Sequence, residues 1–167
     1  SNIFILGFTH CEFQKGFGLS ENNCRSYCTL RDINTQNITI NGHYQYLQFV
    51  QLNVEKLELR EVNNRLTHRD STIEFLAENK IKELRLKSNI NYSQIIFKAG
   101  NYDSIYFEGT FNNHINFEKK IITEYLFFES STFNNRIDFQ EGSFRYINFY
   151  RSNFNGLVHI NDYNYLD

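Results

Sequence analysis

The chain has 167 residues, 41% hydrophobic and 17% aromatic, with no proline, methionine or tryptophan, and its 17 basic and 19 acidic side chains leave a net charge of −2. That length suits one domain, and the near balance of charge excludes a nonspecific nucleic-acid binder, which needs a basic footprint. No apolar run reaches the ~20 residues of a transmembrane helix, and the three cysteines give no disulfide framework and point to a reducing, cytoplasmic compartment.

In chain order, Cys11-Glu12-Phe13-Gln14-Lys15 is the first short unit with apolar ends and a polar middle. Residues 16–33 do not continue it. Cys24 and Cys28 fall here and His10 and Cys11 just before, but the spacing on the Cys11 side matches no zinc pattern. Small buried thiols are expected instead, with no metal and no cofactor. From residue 38 the unit returns as Ile38-Thr39-Ile40, Leu47-Gln48-Phe49, Leu52-Asn53-Val54 and Leu57-Glu58-Leu59. It breaks again at 62–71. Each break is either a protruding loop or a deformed coil, and breaks in a repeat are where specificity tends to sit.

Beyond residue 72 the pattern is continuous. Buried centres are predicted at Phe75, Ile81, Leu86, Tyr92, Phe97, Tyr102, Phe107, Phe111, Phe117, Ile122, Phe128, Phe133, Phe139, Phe144, Phe149, Phe154 and Ile160. The spacings are fives and sixes with one four, which is neither the 3.6 of a helix nor the bare 2 of a long strand. Every fourth centre falls 20–22 residues on, at Phe75, Phe97, Phe117, Phe139 and Ile160. If four segments close one coil, equivalent sides should carry like residues. Two positions before the centre, the first side carries Ile73, Ile95, Ile115, Ile137 and Val158, and the third carries Leu84, Ile105, Leu126 and Ile147. Smaller or polar residues hold that place on the second side (Asn79, Gly100, Lys120, Gly142) and, after Ile90, on the fourth (Gly109, Ser131, Ser152). Large and small residues on opposing sides fill a narrow shaft at interior packing density. Proline is missing for a related reason, since it cannot donate to a ladder in which every strand is central.

Segments such as Ser131-Thr132-Phe133-Asn134-Asn135 and Ser152-Asn153-Phe154-Asn155-Gly156 resemble the pentapeptide-repeat family in its phenylalanine-centred form, tightly over 72–162 and more loosely over 37–61. The first and third sides depart from the family motif by placing Ile or Leu where it has a small residue. The resemblance implies an all-β fold, a right-handed quadrilateral β-solenoid of about 21 residues per coil, with coils at the interstrand spacing of ~4.8 Å. One domain over 1–167 is expected. Because the chain lacks methionine, an excerpt of a longer protein, or a product of cleavage before Ser1, is also expected.

Outward positions stack into columns as well. Ser93, Asn112, Asn134 and Asn155 form one on the fourth side, with Asn91, Thr110, Thr132 and Asn153 beside it. Short polar side chains at corners bond to backbone and to one another, so this column is read as structural. On the third side the outward positions hold Tyr106, Phe127 and Tyr150, with Glu108 and Glu129 alongside. Aromatic columns facing solvent mark interaction surfaces, and this is the candidate binding face. Arg65, His68 and Arg69, near Arg60, make a candidate binding loop at the second break.

No nucleophile elbow, phosphate loop or metal-ligand motif is present, and His10, His43, His68, His114 and His159 share no spacing. The expected function is a non-enzymatic protein-binding or scaffold module acting on an unknown protein partner. A competing reading follows the topoisomerase-protecting branch of the family, which mimics DNA; it requires a strongly acidic face. A carbohydrate-active β-helix would instead need a carboxylate pair in a groove, for which Asp138 and Glu118 are the nearest residues. At the C-terminal end, Tyr163, Tyr165 and Leu166 either plug the last coil or meet a second copy in an end-to-end homodimer.

Overall fold

Triplets with apolar ends and a polar middle put two side chains on one face of an extended strand and one on the other. In the computed structural model these triplets are strands, joined by corners into a β-solenoid of about 21 residues per coil. The structure describes residues 3–9, 11–21, 25–63, 71–87, 90, 92–118 and 121–161. Among them every pairing is parallel and no helix occurs.

Three ladders run the length of the molecule. The first side is an eight-stranded sheet: Ile3–Thr9, Arg25–Arg31, Tyr46–Val50, Thr72–Phe75, Gln94–Phe97, His114–Phe117, Ile137–Phe139 and Val158–Ile160. The second and third sides share longer strands, among them Asn34–His43, Asn53–Asn63, Asn79–Lys87, Gly100–Glu108 and Ile121–Phe128. Along Gly100–Glu108 the buried residues are Gly100 and Tyr102, then Ile105 and Phe107. The slip of one residue between the two pairs is the corner that divides the strand into two sides. A short fourth ladder pairs Thr110–Phe111, Thr132–Phe133 and Asn153–Phe154.

The inward columns are built from stacked rings and branched aliphatics. Phe49, Phe75, Phe97, Phe117 and Phe139 follow one another on the first side with ring centroids 4.7–5.0 Å apart, close to the strand spacing. Phe107 and Phe128 stack likewise on the third side at 5.1 Å, and Phe111, Phe133 and Phe154 on the fourth at 5.0 and 5.1 Å. Rings of different sides meet edge to face, as Phe107 does with Phe111 at 5.3 Å. Both arrangements are the favoured ones for aromatic pairs.

Two of the expected centres are displaced, and two more, Phe149 and Ile160, keep their places in the last coil but are 42% and 51% exposed. Ile122 is 46% exposed, while its neighbours Ile121 and Thr123 are fully buried. Gly100 pairs with Ile121 and Tyr102 with Thr123, so the second-side pair in this coil is Ile121 and Thr123. Volume explains the choice. Tyr102 and Phe144 fold back over Gly100 and Gly142, where a Cβ would lie 2.9 and 2.4 Å from their rings. Between those coils the large residue sits two places earlier, at Ile121, and the centre shrinks to threonine. Tyr92 is likewise buried but is not the fourth-side centre, because Ile90 bridges to Phe111. The step of four from Leu86 to Ile90 then matches the step from Phe107 to Phe111.

The first apparent break is part of the coil. Phe17–Glu21 pairs with the strand Asn34–His43, and Arg25–Arg31 pairs with both first-side neighbours. The 16–33 segment carries the same inward pairs written in mixed residues, Phe17 with Leu19 and Cys28 with Leu30. Of the second break, Val62 is buried at the end of its strand and Ser71 is buried before the next. Residues 64–70 lie outside the described residues, as do His10, Cys24 and 162–167.

Left-handed backbone turns the chain at two corners. Asp32, Gln51 and Glu78 have φ of 52°, 53° and 61° at successive entries to the second side, and Ser130 and Arg151 have 50° and 53° at entries to the fourth. Stacking satisfies these corners, since Asp32 N donates to Val50 O at 3.0 Å and Gln51 N to Ala77 O at 3.2 Å. Buried Asn79 serves the same corner from inside: it accepts from Leu52 N at 3.0 Å and donates to Leu76 O at 2.7 Å.

Candidate functional site

A strand that is buried on one face leaves the other as a regular array, and on the third side three outward columns stand side by side. The pairing gives Lys56, Glu83, Ser104, Tyr125 and Tyr146 in one column and Glu58, Arg85, Tyr106, Phe127 and Asn148 in the next. Arg60, Lys87 and Glu108 lead the third, with Glu129 and Tyr150 at the equivalent places in the following coils. The face changes character along its length.

Its N-terminal half is a lattice of ion pairs. Glu83 takes Lys56 at 2.9 Å and Arg85 at 2.6 Å, and Arg85 reaches on to Glu108 at 2.9 Å. Glu58, 3% exposed, holds Arg60 at 2.9 Å and Lys87 at 3.3 Å. The hydrogen bond from Arg60 lowers the Glu58 carboxyl below its ordinary pKa against the upward push of burial, and the Arg85 bond does the same for Glu83.

The C-terminal half is aromatic. Tyr106 and Phe127 stack at 4.7 Å with planes 9° apart, and Arg85 lies over the other face of Tyr106, 4.5 Å from its centroid. Tyr125 lies 6.0 Å from Phe127 with the two ring planes nearly parallel, and Tyr146 sits tilted 6.2 Å from both. Tyr125 and Tyr146 are 43% and 50% exposed. Rings stacked along the solenoid axis bury their faces against one another and turn their edges to solvent. Such an array suits the irregular apolar surface of a protein better than a flat base or sugar, which needs an open ring face.

Of the residues expected on this face, Tyr106, Phe127, Glu108, Glu129 and Tyr150 are on it, Tyr150 in the column of Glu108 and Glu129. Tyr150 is not a member of the aromatic column. Phe127 pairs with Asn148, and Tyr150 stands two residues on, beneath the guanidinium of Arg151 at 4.9 Å. Tyr125 and Tyr146 escape a sequence reading, because a five-residue frame treats their position as a corner. The candidate loop residues Arg65, His68 and Arg69 lie outside the described residues.

Two further clusters occupy the first side's outer face. Near its N-terminal end the Tyr46 hydroxyl donates to Glu74, which also accepts from Gln48 at 3.2 Å and pairs with Lys98 at 3.3 Å. Burial and the neighbouring Glu74 carboxylate push the Tyr46 hydroxyl up to about 12. Farther along, His114 and His159, which share no spacing in sequence, meet on one carboxylate. Asp138 is 3% exposed and holds His114 Nε2 at 2.5 Å on one oxygen, with Arg136 Nε at 2.6 Å and His159 Nδ1 at 3.1 Å on the other. Burial raises the Asp138 pKa, but the bonds from Arg136, His114 and His159 outweigh it and the carboxyl stays below its ordinary value. Glu118 belongs to neither cluster and accepts from Asn116 at 3.4 Å. Among the described residues no group of three or more His, Cys, Asp and Glu side chains is placed to hold a metal ion.

The polar column on the fourth side is a ladder. Asn134 donates to Asn112 and Asn155 to Asn134, each at 2.8 Å. Those amides are spent on one another. The Ser93 N–H bonds to the Ser71 hydroxyl at 3.2 Å.

The fold and this face define a repeat-built β-solenoid with one long wall graded from ion pairs to aromatic rings. No protein-family model, no curated protein and no solved structure matches the chain. Among the described residues no helix is long and apolar enough to cross a membrane.

Proposed function

We propose that this chain is a phenylalanine-centred relative of the pentapeptide repeats and works as a non-enzymatic protein-binding module, docking a protein partner on the aromatic half of the third side. The observation that carries the proposal is the set of four neighbouring aromatic side chains, Tyr106, Tyr125, Phe127 and Tyr146, on the outside of a sheet whose inside is already filled with rings. Exposed apolar area in one patch costs solvation that a partner recovers. Tyrosine adds a hydroxyl that tolerates water before docking and bonds afterwards. A stiff scaffold adds to affinity, because little side-chain entropy remains to be lost.

The pairing of charges supports this reading over a DNA mimic. A mimic presents unpaired carboxylates, whereas Glu58, Glu83 and Glu108 each hold a cation of this chain. An affinity capture comparing wild type with the double variant Tyr125→Ser/Tyr146→Ser tests the proposal. Both side chains are about half exposed on the outer surface, so the variant is expected to fold, as circular dichroism would check. The reading predicts proteins retained by wild type and lost by the variant, and identical capture by the two refutes it.

A further inference from the structure

The aromatic patch also carries a chemical preference, which rests on the binding-face reading above. Within the lattice a guanidinium has a defined seat. Arg85 lies over the ring of Tyr106 at 4.5 Å while Glu83 and Glu108 hold its nitrogens at 2.6 and 2.9 Å. That is a sandwich of ring and carboxylates, which suits a planar cation.

One coil further on, a ring and a carboxylate recur without the cation, Phe127 after Tyr106 and Glu129 after Glu108, while the place of Glu83 passes to Ser104 and then to Tyr125. A second carboxylate, Glu124, precedes Tyr125 in the chain and follows Asp103 in the neighbouring outward column. The place equivalent to Arg85 holds Tyr106, and the last cation of the adjoining column is Lys87. Among the described residues Glu129 makes no ion pair, and Glu124 has only Arg145 at 4.0 Å, with both side chains more than half exposed. Tyr146, tilted 57° from Phe127 and half exposed, is the ring left to offer a face.

We propose that the segment docked on this patch is basic: a stretch of a protein partner that carries arginine or lysine between apolar residues, its cations reaching Glu124 and Glu129 and its apolar side chains covering Tyr125, Phe127 and Tyr146. The same carboxylates turn away phosphate-bearing ligands. Apolar contact sets the strength of the complex, and the carboxylates set which sequences are accepted and how fast they arrive.

A displayed library of random peptides tests this before any partner is identified. It is selected in parallel against wild type, against Glu124→Gln/Glu129→Gln and against Tyr125→Ser/Tyr146→Ser, after circular dichroism has shown the three to be equally folded. Wild type is expected to enrich sequences combining Arg or Lys with apolar residues. Those peptides, synthesised and labelled, should bind about tenfold more weakly to either variant, as the loss of a charge-assisted or aromatic contact implies. Their affinity should also fall with added salt, as binding between opposite charges does. Enrichment of neutral or acidic sequences that still require the tyrosines overturns the preference for a basic segment and leaves the binding face standing. Enriched sequences that bind both variants as well as wild type, or no enrichment at all, overturn the two together.

Discussion

Two adjacent isoleucines give the sharpest check on how the shaft is filled. Ile121 is fully buried in a column whose neighbours along the axis are Gly100 and Gly142, and Ile122 is 46% exposed on the outer surface. Truncation to alanine removes the same three carbons at both sites. For Ile121 the transfer loss alone is about 2.4 kcal/mol, at ~0.8 kcal/mol per carbon group. A cavity term adds to this, and glycines above and below supply no side chain to collapse inward, which places Ile121→Ala at about 3–4 kcal/mol, within the range of buried aliphatic truncations. Ile122 loses only its half-buried part, so Ile122→Ala should cost about 1 kcal/mol or less. The assay is urea unfolding followed by circular dichroism, with the slope on denaturant compared to ensure that the same surface is exposed. Equal costs at the two positions, or a larger cost at Ile122, would refute the pairing of Ile121 with Gly100 and the account of volume exchange between coils.

Other perturbations test separate parts of the structure. Phe128→Ala removes a fully buried ring stacked on Phe107 at 5.1 Å and on Phe149 at 5.2 Å, and should lower stability by about 3–5 kcal/mol in the same unfolding assay. Gly142→Ala places a methyl 2.4 Å from the Phe144 ring, which must shift within a filled shaft at a cost of about 1–3 kcal/mol, read as a lower melting temperature. The Asp138 carboxyl is held below its ordinary pKa of 3.8. Its contribution is therefore complete above the ordinary carboxylate range and is lost as pH falls through the lowered value. Melting temperature should drop on acidification below about pH 4, the usual carboxylate range, and Asp138→Asn should flatten that slope while lowering stability at neutral pH.

Much of the architecture was legible because a solenoid repeats its instructions. The centres Phe75, Phe97, Phe117 and Phe139 and the Ile or Leu two places before centres on the first and third sides are stacked as their spacing indicates. Where reading failed, volume or composition had overridden a fixed frame. Ile122 looked like a centre because it is apolar, but Tyr102 and Phe144 in the flanking coils move the large residue to Ile121. Phe17, Leu19, Cys28 and Leu30 were unreadable as repeats because strands of five and seven residues carry the pairs in mixed residue types. The candidate face was half visible. Tyr106 and Phe127 fall on an outward place of the repeat, whereas Tyr125 and Tyr146 become outward only because the second and third sides share one continuous strand. The meeting of His114 and His159 on Asp138 carries no signal in a single sequence, since it depends on one residue in each of three successive coils lying within reach.

A photo-crosslinking phenylalanine analogue placed at Tyr146, and separately at Asn112 in the fourth-side asparagine ladder, tests the central functional claim most directly. Both positions lie on the outside of the solenoid, but only the first belongs to the aromatic face. The account predicts a discrete protein adduct from position 146 that is absent from position 112 and is suppressed by Tyr125→Ser. Adducts of the same kind and yield from both positions, or none from position 146 in an extract where position 112 gives one, would contradict it.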